Sequence, residues 1–341
     1  MKKKLLYISI AIISLLLIAG GVVAYSFLSK PFSKLEQDTY LYIYPDDTAE
    51  TVEHTLQDIA RHSLPLSFHT LAKLVHKDKD MKTGRYRVSS DMNMLTLLRN
   101  ISHHHQEPVN IVVPSVRTIQ ALAGRLGSKL LSDSLSIIRL LEDSAYCTSL
   151  GYTTQTIPAL FIPNTYQVYW DVKADDLLKR MKTESGKFWD QQRLAKAQAL
   201  QMTPVEVATL ASIIDSETAN NAEKPRIAGL YLNRLSSGMP LQSDPTIIFA
   251  LQDFSIRRVL NQHLRVESPY NTYKNKGLPP GPIRIPSIAG IDAVLNHETH
   301  NYIYMCAKED FSGTHNYAAT YKEHLQNARR YTQALNARGI K

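Results

Sequence analysis

The sequence predicts an α+β protein of more than one folded unit, carried on a single apolar amino-terminal helix. Three observations predict it. Leu5 to Leu28 contains no charged residue. Beyond it, short β-rich runs alternate with helix-periodic stretches. The 341 residues also exceed one domain of roughly 100 to 200 residues. With 44% apolar and 21% charged residues the composition is ordinary for a globular chain and excludes disorder. A net charge of +8 favours acidic partners such as membrane lipid, wall polymer or nucleic acid, without choosing among them. Two cysteines, Cys147 and Cys306, are too few for a disulfide scaffold or a multi-cysteine zinc module, and both are read as buried free thiols.

The segment 5–28 spans about 36 Å as a helix, enough to cross a hydrocarbon core of about 30 Å with tilt. Lys2, Lys3 and Lys4 precede it, so the positive-inside rule leaves residues 1–4 in the cytoplasm and exports the rest. This predicts a single-pass inner-membrane protein with a periplasmic body. A cleaved signal peptide is the alternative, and Val22-Val23-Ala24 resembles a cleavage site, but the apolar core of such a signal runs about 7 to 15 residues. Outside the cytoplasm nucleic acid is scarce, and no glycine-rich phosphate loop is present, so the membrane stays as a partner and nucleic acid is dropped.

Residues 29–39 read as a polar tether. Tyr40–Tyr44 is a strand stopped by Pro45-Asp46-Asp47-Thr48, two helices follow around Val52–Ile59 and Phe68–Val75, and Gly84–Val88 returns as a strand. The order βααβ resembles the LysM fold, a binder of N-acetylated glycans, although packing alone explains the same order. A strand-turn-helix pattern recurs at Tyr86–Ile101 and Asn110–Leu126. We therefore place the LysM-like module with its extension at 40–108, an α/β connecting region at 109–202 and a mixed α+β catalytic domain at 203–341. Within the connecting region, Phe161–Trp170 is extended and aromatic; such rings stack on pyranose faces and equally pack a core. Lys179–Met202 reads as a largely solvated helical spacer.

Thr203-Pro204-Val205-Glu206 is a capping box with proline at the first helical position, predicting a helix from Pro204 to about Thr218. At 100° per residue, with Leu210 at zero, its apolar stripe centres near about 30°; Glu217 falls at about −20° and Asp215 at about 140°. Glu217 thus continues the buried stripe and Asp215 lies on the flank. Burial and the negative end of the helix dipole both raise a carboxyl pKa, which suits a general acid. The structural alternative is a glutamate neutralised by Arg226 or Arg234.

Ala211–Asn220 (ASIIDSETAN), Leu241–Ile247 (LQSDPTI), Ser268–Tyr273 (SPYNTY), Gly277–Ile283 (GLPPGPI) and Gly313–His324 (GTHNYAATYKEH) together resemble the YceG-like family of endolytic murein transglycosylases, usually called MltG. The resemblance covers the anchor, the LysM-like module and the carboxyl-terminal half. The family's catalytic glutamate is the last acid of A-S-I-V-E-x-E-T, which is Glu217 here; the first acid becomes Asp215. The resemblance implies cleavage of the β-1,4 bond between N-acetylmuramic acid and N-acetylglucosamine in nascent strands, leaving 1,6-anhydro ends and terminating elongation. It implies peptidoglycan strands as substrate, peptidoglycan synthases as partners and no cofactor. Gln242, Asp244, Tyr270, Asn271, Tyr273, His315 and Asn316, on the motif loops, are the substrate-binding candidates. His315 either bonds substrate or pins its loop.

One carboxyl suffices for such a reaction: Glu217 protonates the glycosidic oxygen, then takes the C6 hydroxyl proton as the anhydro ring closes. A hydrolase needs two carboxylates about 5 to 9.5 Å apart. Asp244 is the second candidate, but its place before Pro245 favours a capping role. Besides hydrolysis, a non-enzymatic wall tether or scaffold is the other alternative. His297-Glu298-Thr299-His300 lacks the four-residue histidine spacing of a zinc protease and His103-His104-His105 reads as a solvated loop, so no metal is expected. Lys224 and Arg226 are candidates for stem-peptide carboxylates or plain surface charges.

Overall fold

The structure, a computed structural model, describes residues 2–28, 32, 35–60 and 68–339. Of the expected tether, residues 29–31, 33 and 34 lie outside the described residues. The fold is mixed α+β. Helix α1 (Lys2–Leu28) is followed by β1 (Thr39–Ile43), α2 (Ala49–Ala60), α3 (Phe68–Leu74), β2 (Gly84–Val88) and α4 (Met94–Ser102). Then come β3 (Val109–Val113), α5 (Ile119–Gly127), α6 (Ser134–Glu142), α7 (Ser144–Ser149), β4 (Asn164–Val168), α8 (Ala174–Phe188) and α9 (Gln191–Ala199). The remainder is α10 (Pro204–Glu217), α11 (Lys224–Ser236), α12 (Asp244–Leu251), α13 (Ile288–Leu295), β5 (Tyr304–Ala307), β6 (His315–Ala318) and α14 (Tyr321–Ala337). The strands pair as three two-stranded sheets, β1-β2, β3-β4 and β5-β6.

The strand-turn-helix pattern is more regular than its two visible sequence copies. Strands β1, β2, β3 and β4 end at Ile43, Val88, Val113 and Val168, and α2, α4, α5 and α8 begin at Ala49, Met94, Ile119 and Ala174, six positions later each time. Every one of these strands ends on a buried β-branched residue with a second buried side chain two positions earlier: Leu41, Tyr86, Ile111 and Tyr166. That alternation puts one strand face in the core.

The chain divides into two compact units. The first holds residues through Asn110 with the short pieces 129–131 and 167–172. Its βααβ order is as expected: β1 and β2 pair antiparallel from Thr39↔Val88 to Ile43↔Gly84, and Leu41, Ile43, Leu56, Phe68, Tyr86, Val88, Leu97 and Ile101 fill the core. Trp170 is buried and meets Tyr42 and Tyr44 edge-on, with centroids 5.0 and 5.1 Å away. Of the two readings of the aromatic stretch, packing therefore accounts for Trp170, as it does for Tyr166, whose hydroxyl donates to the Ile162 carbonyl. In α1, Leu6–Tyr25 is long and apolar enough to cross a membrane, with none of it buried; length and composition fit a signal sequence equally.

The second unit holds the rest, with α10 at its centre among α9, α11, α12 and α13. Lys179–Met202 is largely helical and mostly exposed, as expected, but is split between α8 and α9. Asp190 ends the first by capping the second, accepting from the Arg193 amide at 2.9 Å, and Trp189 and Ala197 enter the core. The hairpin β5-β6 runs antiparallel from Tyr304↔Ala318 to Ala307↔His315. Cys147 is buried as expected; Cys306 is only partly buried, and both are free thiols.

Candidate active site

Helix α10 starts as its sequence dictates. Thr203 Oγ1 accepts from the Glu206 amide and Glu206 Oε2 accepts from the Thr203 amide, 3.2 and 2.7 Å, completing the capping box. The expected apolar stripe is not what buries it: every residue from Val207 to Ile214 is buried, so the helix is enclosed on all sides. Asp215 is accordingly not on an exposed flank. Its side chain is 4% exposed and pairs with Lys224 Nζ at 2.7 Å. The Ser287 amide donates to Oδ2 at 2.5 Å and the Ser287 hydroxyl to Oδ1 at 2.8 Å. Gly290 of α13 permits this, because a Cβ there would lie 2.6 Å from Asp215 Oδ1. Thus α10 is stapled to α11 and α13 through one saturated acid.

Glu217, at the last turn, has a different setting. Its Oε1 accepts from the Tyr231 hydroxyl at 2.6 Å and from the Ser243 hydroxyl at 2.5 Å, while Oε2 has no partner among the described residues. Both donors are 1% exposed. Burial pushes the Glu217 carboxyl above its ordinary value and prevails over the opposing hydrogen bonds from Ser243 and Tyr231 and the charge of His315; the charge of Asp244 adds to the rise. Tyr231 is held well above the usual phenol range, first by burial and then by Glu217, so it stays a donor. With two donors fixed on Oε1, a proton on Glu217 belongs on Oε2.

A cleft of about 270 Å³ opens beside Glu217, lined also by Tyr231, Arg234, Gln242, Asp244, Tyr273, Met305, Cys306 and His315. Ser243 stands at the N-cap of α12, yet its side chain makes no cap bond; the hydroxyl goes to Glu217 instead. Gln242 adopts φ +51°, a left-handed backbone that is costly for a side-chain-bearing residue, as the chain turns Ser243 inward. Asp244 does not cap the helix as expected; it is the first helical residue, and its Oδ1 accepts from the Tyr273 hydroxyl at 2.6 Å. His315 is tied by Nδ1 to Glu223 Oε2 at 3.2 Å and by its amide to Glu223 Oε1 at 2.7 Å. That leaves Nε2 as the ring nitrogen without a partner among the described residues. Burial opposes ionisation of Glu223, but the bonds from the His315 amide, Tyr317 and the His315 ring, with the charge of His315, together hold the carboxyl below its ordinary value.

The YceG-like family model matches residues 41–330. The chain belongs to the YceG-like family. It is 32% identical over 166 residues to an endolytic murein transglycosylase of Bacillus subtilis, covering 49% of this chain and 45% of that one. It is 25% identical over 360 aligned positions to an endolytic murein transglycosylase of Streptococcus pneumoniae, covering 95% of this chain and 64% of that one. The chain thus spans about half to two thirds of the length of these curated relatives. A crystal structure of a yceG-like protein from Listeria monocytogenes superposes with a TM-score of 0.55 at 25% identity, covering 86% of this chain and 99% of that one.

Of the site residues read from this YceG-like sequence, the cleft gathers Glu217, Gln242, Asp244, Tyr273 and His315. Three others sit elsewhere. Asn271 is fully buried and donates to the Leu264 and Val266 carbonyls, shaping its loop. Asn316 donates to Glu309 across its hairpin at 2.5 Å, and Tyr270 packs on Phe249 with centroids 4.7 Å apart. The charged candidates are also committed: Lys224 to Asp215, and Arg226 to both oxygens of Glu298. Arg234 donates to the Ile303 and Leu241 carbonyls, both at 2.6 Å, so neither arginine is bonded to Glu217. His300 contacts the Arg226 carbonyl through Nε2 and accepts from the Tyr302 amide through Nδ1. The sequence reading missed Tyr231, Ser243 and Glu223. Ser243 lay inside a quoted motif, at a helix start where a hydroxyl has an obvious local use; Tyr231 and Glu223 carried no signal of their own.

Proposed function

We propose that this protein is a membrane-anchored endolytic lytic transglycosylase that cuts the β-1,4 bond between N-acetylmuramic acid and N-acetylglucosamine in peptidoglycan strands. The observation that carries the reading is the asymmetric carboxyl of Glu217, with Oε1 held by Tyr231 and Ser243 and Oε2 turned loose beside a polar cleft. A raised pKa keeps a proton available for the glycosidic oxygen. Once ionised, the same oxygen can accept the C6 hydroxyl proton as that hydroxyl attacks C1 and closes the 1,6-anhydro ring. No water enters the products. Gln242, Asp244, Tyr273 and His315 supply donors and acceptors for the sugar hydroxyls and acetamido groups.

The anchor is α1, crossing the inner membrane once with its lysine end in the cytoplasm and the body outside. The LysM-like module holds the strand at a distance from the cut. Cutting of nascent strands ends their elongation, which makes peptidoglycan synthases the partners. Murein transglycosylases among the relatives support the substrate class.

Mass spectrometry of purified glycan strands incubated with the full chain tests the reaction. Anhydro ends are expected. Ends heavier by one water would identify a hydrolase, with Asp244 in the cleft as the second carboxylate, and intact strands would leave a tether.

A further inference from the structure

On the other side of α12 from the cleft lies a groove that the reaction does not use. The helix lines both: Asp244 faces the cleft, whereas Phe249 lies in the groove. A cavity of about 280 Å³ is bounded by Arg117, Gln155, Phe249, Gln252 and Tyr270. A smaller one of about 60 Å³ shares Arg117 and Phe249 with it and reaches Ser216, the residue between the two acids of α10. The wall combines the tilted rings of Phe249 and Tyr270 with side-chain amides.

Its charge is one-sided. Arg117 is exposed, lies 5.4 Å from the Phe254 ring and has no carboxylate partner among the described residues. Arg284, close enough for the two cations to repel, donates to the Asp215 and Ser115 carbonyls. The nearby carboxylate of Asp215 is already paired with Lys224. One guanidinium, that of Arg117, therefore lines a groove of apolar rings and amides whose lining includes no carboxylate, with Arg284 behind it. A short peptide bearing free carboxylates matches this lining: its charge meets Arg117, its small side chains meet the rings and its backbone meets the glutamines.

We propose that this groove binds the carboxylate-bearing stem peptide of the glycan strand, making Arg117 a specificity residue for peptide-substituted substrate. The inference rests on peptidoglycan being the substrate. The test is calorimetric binding to the full chain in detergent, with Glu217→Gln present to prevent turnover. Two ligands are compared: a disaccharide peptide with free carboxylates and the same compound with its carboxylates amidated. The free acid should bind about tenfold tighter, or ~1.4 kcal/mol. With Arg117→Gln added, both ligands should bind equally, at the level of the amide. Equal binding of the two ligands before that change, a preference that survives it, or binding of neither ligand overturns the proposal. Product mass from the Glu217 chain is a separate readout: tight, carboxylate-dependent binding without anhydro ends would sink the proposed reaction and leave the groove assignment standing.

Discussion

Two acids separated by a single residue on α10 face two regions built to opposite ends. Behind the helix, Asp215 has both oxygens occupied by Lys224 and Ser287, with a glycine of α13 pressed against it. In front, Glu217 has both of its donors on one oxygen and the other left open. Both side chains are withdrawn from bulk water, so burial does not separate the paired acid from the one proposed to react. Saturation does: the first carboxylate has both oxygens occupied, and the second keeps one oxygen open toward the cleft.

The largest expected effect tests the front. Glu217→Gln preserves size and an acceptor for Tyr231 and Ser243 but removes the titrating proton. Release of anhydro ends should fall by about three orders of magnitude while the melting temperature holds. Normal product release by the folded variant would break the comparison at once. The next tests the back. Asp215→Asn leaves Lys224 charged and unpaired inside the protein, and should lower stability by about 3 to 5 kcal/mol, read by denaturant unfolding. Adding Lys224→Met should recover most of that loss. If Asp215→Asn unfolds no more easily than the parent, the saturated pair is not a staple.

Smaller effects sharpen the difference. Tyr231→Phe removes a bond that pulls the Glu217 pKa down, so the alkaline limb of the rate profile should move to higher pH, with kcat lowered by about tenfold. Asp244→Asn removes a charge that raises the same pKa, and should move that limb to lower pH, the smallest of these effects. Because Glu217 binds its proton more tightly folded than unfolded, its ionisation should also cost stability, beginning as pH rises past its unfolded value and complete above its folded one. Glu217→Gln should flatten that part of the stability profile.

The start of α10 was legible because a capping box and a proline are local signals, and Glu217 stood out through its motif. The helical wheel misplaced Asp215 because it assumes one wet side, and α10 has none. What completes each acid is remote: Tyr231 and Ser243 lie 14 and 26 positions from Glu217, and Ser287 lies 72 from Asp215. No local periodicity carries contacts of that range. Asn271 and Asn316 have remote or loop-internal partners for a related reason. Amides in motif loops look available for sugar, but backbone carbonyls and Glu309 had already claimed them. The strand-to-helix spacing was half visible, since only two of its four copies share enough residue pattern to be noticed.

Ser243 carries a consequence for the evolvability of the chain. Its hydroxyl leaves the first turn of α12 uncapped in order to reach Glu217. A conventional cap at this position would contribute about 1 kcal/mol, so a screen for heat resistance alone has an easy gain there. Aspartate would serve as such a cap, and it would set a carboxylate where Glu217 now finds a hydroxyl. Thermal hardening and catalytic competence pull in opposite directions at this one residue, and a library selected for the first should lose the second there.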